Sequence, residues 1–172
     1  MELLIPGLIL VALMVYASTR IKKNAARAFE PEHIETDEFS ITKPDGFLNP
    51  LNDESGLAFI AYSKEFGKDN ADNIRQASAE LRVFEDANFE DICEGAKESV
   101  TRVVTESVAK IGEATSRVIE AEQDENGIGL IIFYKITERS GKIFQLKISV
   151  LPEYKNDYAV RMEEMLESFT AK

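Results

Sequence analysis

Residues 114–150 read ATSRVIEAEQDENGIGLIIFYKITERSGKIFQLKISV, and the way these strands pair decides the fold. Asn126-Gly127 is the strongest two-residue hairpin signal in the chain, because both central positions of a type I′ turn need positive φ. That turn sets Glu125 against Ile128, Ala121 against Ile132 and Ile119 against Tyr134, so apolar meets apolar. The next turn offers two registers. A two-residue loop, Ser140-Gly141, places Phe144 opposite Thr137 and Leu146 opposite Lys135, which sets each strand's apolar side against its neighbour's polar side. A three-residue loop, Arg139-Ser140-Gly141, slips the pairing by one and turns every side chain over. Gly141 then takes the left-handed position of a bulge. Phe144 faces Ile136, Leu146 faces Tyr134, Ile148 faces Ile132 and Val150 faces Leu130. This second register is expected, with those eight residues lining one core-facing surface. The opposite surface carries Glu120, Glu122, Lys135, Gln145 and Lys147, yet also Ile131 and Phe133. The last two need a cover: a helix, the Phe47–Leu57 segment, or a partner protein.

Working outward, Phe39–Lys43 (FSITK) reads as a short strand closed by the turn Pro44-Asp45-Gly46. Leu57–Ser63 and Ala77–Glu85 read as two more strands. Asn88 is placed to cap a helix. Phe89, Ile92, Cys93, Ala96, Val100, Val103, Val104, Val108 and Ile111 recur at helical spacing, with a stop at Gly112. Their β-branched content is high, so burial has to outweigh propensity there. Asn156 or Asp157 can cap a final helix with the apolar stripe Tyr158, Met162, Met165, Leu166 and Phe169. Strands followed by helices, with apolar side chains on both sheet faces, predict an α+β fold: an antiparallel sheet with helices packed on it, an α/β/α sandwich.

One N-terminal transmembrane helix is expected to precede it. Leu3–Ala17 holds no charge, and Arg20, Lys22, Lys23 and Arg27 follow directly. Counted to Ile21 the low-polarity stretch is 19 residues. At about 1.5 Å per residue it can cross a hydrocarbon core of about 30 Å. Cations on one side give the span a direction, with the N-terminus outside and the bulk of the chain cytoplasmic. The alternative is export with cleavage near Ala17, although the n-region carries no side-chain cation. The expected divisions are an anchor over 1–29, an acidic tether over 30–38 and a soluble domain over 39–172.

The chain carries 20 basic and 31 acidic side chains, a net charge of −11. Without Glu2 and the four cations of the anchor flank, sixteen basic and thirty acidic side chains remain. Such a surface repels phosphate backbones, so no nucleic-acid partner is expected. The single cysteine forbids an internal disulfide, and the single histidine leaves little for a zinc site or a triad. His33 lies in the acidic tether, where no fixed geometry holds a base. Cys93 falls on the apolar stripe of the middle helix and reads as a buried structural thiol. Asp53-Glu54 and Asp124-Glu125-Asn126 are compact acidic turns without the spacing of a calcium loop. Glu163, Glu164 and Glu167 read as the wet face of the last helix. Gly127 serves the turn, and Gly129 marks a bulge or the close approach of another backbone. No catalytic, cofactor or metal residues are expected.

The strand ending in Pro-Asp-Gly (FSITKPDG), the strand LAFIAYS, the helix after ANFED, the three-strand meander and the final helix ending in Leu166-Glu167-Ser168-Phe169 resemble PsbP-like and DcrB-like domains. The resemblance covers about residues 38–170 and rests on element order. It implies an α/β/α sandwich and a non-catalytic assembly, stabilising or binding role, often at membranes. The chain departs from the group's lipoproteins in lacking a lipid-attachment cysteine after the apolar run. The expected function is a single-pass, membrane-anchored binding module that holds a partner protein, with Ile131 and Phe133 as candidate contacts if exposed. The alternatives are a carrier or sensor of a small apolar ligand, in a cavity lined by Tyr134, Phe144, Leu146 and Val104, and an uncharacterised enzyme.

Overall fold

The computed structural model describes residues 11–20, 27–50, 55–67, 74–111, 114–125 and 127–172. Its strands are β1 (Glu32–Glu35), β2 (Phe39–Lys43), β3 (Phe59–Tyr62), β4 (Ala77–Glu85), β5 (Arg102–Ile111), β6 (Ala114–Glu125), β7 (Ile128–Arg139), β8 (Lys142–Val150) and β9 (Thr170–Ala171). Helix α1 (Phe89–Glu98) joins β4 to β5, and α2 (Lys155–Ser168) follows β8 through a 3-10 turn at Pro152–Tyr154. Two antiparallel sheets result, one of order β1-β2-β9 and one of order β3-β4-β8-β7-β6-β5.

The β6–β7 register is the expected one: Glu125 opposes Ile128, Ala121 opposes Ile132 and Ile119 opposes Tyr134. The β7–β8 register is not. Ser140 (φ 54°) and Gly141 (φ 76°) both lie in the left-handed region, making a two-residue turn. Thr137 therefore opposes Phe144 and Lys135 opposes Leu146. The expected slip assumed one core, whereas this sheet has two. Phe144, Leu146, Ile148 and Val150 of β8 pack with Leu81, Ile41, Phe47, Met162 and Met165 under α2 and the small sheet. Ile132, Tyr134 and Ile136 of β7 pack with Ile119, Phe89, Cys93 and Ala96 under α1. The eight residues thus divide between the two faces. Central strand β7 is apolar on both sides because both sides are covered, which explains Ile131 and Phe133: they are half-buried and packed against the α2-side core. The Lys155 amine lies 5.7 Å from the Phe133 ring centroid. The pair is not a free apolar patch.

The middle helix is half as long as expected. Asn88 caps it through Oδ1, which accepts from the Glu90 and Asp91 amides at 2.8 and 3.3 Å. It stops at Glu98, and the segment that follows is β5. Val103, Val104, Thr105 and Val108 are β-branched, with χ1 freedom a helix restricts, and β6 offers the segment a backbone ladder from Arg102 to Ile111, broken by one shift at Val104. The acidic stretch 30–38 is likewise not all tether. Its residues Glu32–Glu35 pair with β2 in register from Glu32↔Lys43 to Glu35↔Ser40. Lys172 at the far end of the chain closes this sheet through Glu35 (2.9 Å) and the Thr36 carbonyl (2.6 Å). The final helix starts with no side-chain cap, so neither Asn156 nor Asp157 plays that part. Its stripe is as expected, with Tyr158, Met162, Met165 and Phe169 buried.

Residues 11–20 form a helix whose side chains are all exposed. Among the described residues no helix is long and apolar enough to cross a membrane. Residues 3–10 of the expected span, Lys22 and Lys23 of its flank, the stop at Gly112, Asn126 and the turn at Asp53-Glu54 lie outside the described residues.

Two lysines, Lys43 buried and Lys135 half-buried, tie segments together. Lys43, 1% exposed, donates to the carbonyls of Ala28 (2.9 Å), Glu30 (2.6 Å) and Phe47 (3.0 Å). Lys135 donates to Leu166 (2.6 Å) and Phe169 (3.0 Å), satisfying carbonyls at the C-terminus of α2. Burial pushes the pKa of both ammonium groups below the usual lysine value. Lys43→Met leaves three carbonyls without their charged donor. It is expected to cost about 2–3 kcal/mol and lower Tm by roughly 5–10 °C in thermal unfolding followed by circular dichroism.

Candidate functional site

Helix α1 has ten residues and a length of about 15 Å, too short to roof a six-stranded face. Its buried residues Phe89, Cys93 and Ala96 settle over β6 and β7. The β4–β8 half of that face stays open. There the paired residues are polar: Glu80 opposes Lys147 and Arg82 opposes Gln145. They floor a cleft of about 290 Å³, walled by Asp91, Ile92 and Gly95 of α1, by Ser99 at its C-terminal cap, and by Phe84 and Tyr134. Glu80 and Lys147 are shared with a second hollow of about 250 Å³, reaching Ile60, Tyr62, Arg75, Ser78 and Ser149. The two make one trough with walls of mixed polarity and a floor of both charge signs.

The polar groups are only partly satisfied by one another. Arg82 approaches Glu80 at 3.6 Å. The Lys147 amine reaches Gln123 Oε1 at 3.5 Å, a long contact. The Ser99 hydroxyl donates to the Ala96 carbonyl at 2.8 Å and lies 3.1 Å from the Tyr134 hydroxyl, so the tail of α1 is pinned to β7. Arg75 stacks 4.4 Å from the centroid of Tyr62 and pairs with Glu65 at 3.1 Å. Such a surface can hold a polar, extended segment by hydrogen bonds and cross-trough ion pairs. Among the described residues no group of three or more His, Cys, Asp or Glu side chains could hold a metal ion.

His33 stands exposed on β1, with Nδ1 3.3 Å from the Thr42 hydroxyl. Cys93 is fully buried. Burial pushes its thiol pKa up to about 11, against the smaller opposing pull of Arg117. Its position in the first turns of α1 does not activate it. Glu163, Glu164 and Glu167 are exposed on the outer side of α2, as expected. Gly127 (φ 82°) occupies the turn and donates to Asp124 Oδ1 at 2.9 Å. Gly129 marks neither a bulge nor a close approach: it pairs regularly with Asp124, and a Cβ there would meet nothing within 4 Å. The four side chains expected to line an apolar cavity do not converge. Tyr134 faces the cleft, Phe144 and Leu146 lie in the core on the other side of the sheet, and Val104 is exposed on β5.

No protein-family model and no curated protein sequence matches the chain. Solved structures share its fold. LpqN of Mycobacterium tuberculosis, a protein involved in cell envelope biogenesis, matches with a TM-score of 0.60 at 12% identity, over 83% of this chain and 90% of its own. The PsbP protein of the cyanobacterium Synechocystis, CyanoP, matches with a TM-score of 0.55 at 8% identity, over 84% and 94%. The protein Mog1 matches with a TM-score of 0.53 at 13% identity, over 82% and 95%. The domain therefore has the PsbP-like sandwich fold that its element order resembles.

The buried thiol gives a prediction with a defined sign. An unfolded cysteine loses its proton near its ordinary value of about 8.5, whereas the native one holds it until about 11. Between those values the unfolded chain binds fewer protons, so stability falls as pH rises through that window. Cys93 is expected to resist a thiol-titrating reagent at pH 8 until denaturant is added, and Cys93→Ala is expected to flatten the decline in urea midpoint above pH 9.

Proposed function

We propose that this chain is a non-catalytic binding module held at a membrane by its N-terminus, with the sandwich on the cytoplasmic side holding a partner protein in the α1 trough. The observation that carries the reading is the helix at residues 11–20. Val11, Leu13, Met14, Val15 and Tyr16 stand 59–64% exposed there, an apolar surface that water does not favour and a bilayer does. The span proposed is residues 3–21, with Arg20, Lys22, Lys23 and Arg27 in the anionic headgroup layer of the inner face. The trough supports the binding half of the reading. Glu80, Arg82, Gln145 and Lys147 offer both charge signs, so a protein segment bearing the complementary pattern fits it better than an apolar ligand or a polyanion. Among structures of the same fold, LpqN is involved in cell envelope biogenesis, which is in keeping with work at a membrane boundary.

The full chain, expressed with a C-terminal epitope, is expected to remain in the membrane pellet after alkaline carbonate washing. Its epitope should resist protease added to intact spheroplasts and be digested once they are lysed. A soluble mature chain beginning at Ser18, or digestion from outside, would refute the anchor and its orientation. Reversing the trough charges (Arg82→Glu with Lys147→Glu) is expected to leave this distribution unchanged and to remove any stoichiometric partner recovered from solubilised membranes with the wild type.

A further inference from the structure

The large sheet ends in two unlike edges. β3 is short, and its outer side is occupied by Leu48, which exchanges backbone hydrogen bonds with Tyr62 at 2.8 and 3.0 Å. β5 spans ten residues, pairs with β6 on one side, and has exposed side chains from Arg102 to Lys110. Val108, 60% exposed, is the most exposed of its three valines. A long β-branched edge is a template for another strand unless something blunts it. The one irregularity here is a shift between Val103 and Thr105, which leaves a regular run from Thr105 to Ile111 centred on Val108.

That run is complementary to itself. In an antiparallel pair with a two-fold axis at Val108, Val108 meets Val108, Ser107 meets Ala109, and Glu106 meets Lys110 at two symmetric places. Opposite charges across a strand pair stabilise it and like charges do the reverse. An axis at Glu106 would set Glu106 on Glu106 and Arg102 on Lys110. An axis at Ser107 would set Glu106 on Val108 and Lys110 on Val104. An axis at Val104 would run through the irregular segment. The local charge balance favours the same register. Glu106 pairs with Lys97 (3.0 Å) and Arg117 (3.3 Å), Lys97 also with Glu94 (3.1 Å), and Arg117 also with Glu90 (2.9 Å). Three carboxylates face two cations, and Lys110 of a second copy supplies the missing charge.

We infer that β5 is a homodimer interface, in which two copies of this chain join their large sheets by antiparallel β5–β5 pairing about a two-fold axis at Val108. The contact is isologous, as a closed dimer requires, and its main-chain hydrogen bonds supply the affinity. It is independent of what the trough holds.

The test uses the full chain in detergent micelles. Directly opposite residues in an antiparallel pair have Cβ atoms about 4.5–5.5 Å apart, within reach of a disulfide after slight adjustment. Val108→Cys is expected to form a cross-linked dimer on mild oxidation, whereas Val160→Cys, at a position 76% exposed on α2, is not. The buried Cys93 stays silent in both. Lys110→Glu, at an exposed position, is expected to sediment as a monomer where the wild type sediments as a dimer, with an unchanged circular dichroism melt. Cross-linking no greater for Val108→Cys than for Val160→Cys overturns the proposal. So does a dimer that survives Lys110→Glu, which would place self-association elsewhere, for instance in the N-terminal helices. A wild-type chain that is monomeric at every concentration overturns it as well and leaves the edge to a strand of another protein.

Discussion

A sheet whose neighbouring central strands turn their apolar sides in opposite directions cannot be left bare on either face. That constraint governs this protein. The tight turn at Ser140-Gly141 sets β7 and β8 out of step, so the isoleucines of β7 need cover on one side and Phe144, Leu146, Ile148 and Val150 need it on the other. Helix α1 answers the first need. Helix α2 and the small sheet answer the second, held by Lys135 under the end of α2 and by Lys43 at the end of β2, which ties the segment before β1 to the turn after β2. The sandwich follows from one turn.

The two covers are unequal, and the inequality produces the site. On the α2 side the helix, the small sheet and Phe47 close over β3, β4 and β8. On the α1 side ten residues of helix cover the β6–β7 half, and the rest of the face keeps a polar floor. Glu80, Gln145 and Lys147 keep only part of their water in the free protein, and a partner covering them has to replace the rest with hydrogen bonds and ion pairs.

Much of this was legible in the residues, and what was not has physical reasons. Asn88, Ala77–Glu85 and the Glu125↔Ile128 register each rest on a local signal, a cap, an alternation or a tight turn, and the structure keeps them. The Ser140-Gly141 turn is not legible from the pattern, because the better pairing of like with like belongs to the three-residue loop and presupposes a single core. A serine at positive φ is an uncommon choice that alternation does not reveal. Val100 to Ile111 fits helical spacing and strand propensity at once, and the ladder offered by β6, which lies after it in the chain, decided the matter. β1 was hidden in an acidic stretch because its partners, Lys43 and Lys172, come from elsewhere. The trough was invisible for a related reason: Glu80, Arg82, Gln145 and Lys147 read as the wet side of two strands far apart in sequence, and no short motif joins them.

The central claim is the β7–β8 register, and nuclear Overhauser contacts between the two strands in the folded protein read it directly. The account predicts cross-strand contacts joining Lys135 with Leu146 and Phe133 with Ile148. Contacts joining Tyr134 with Leu146 and Ile132 with Ile148 would put all these apolar side chains on one face, and the two-sided sandwich with its half-open trough would be wrong.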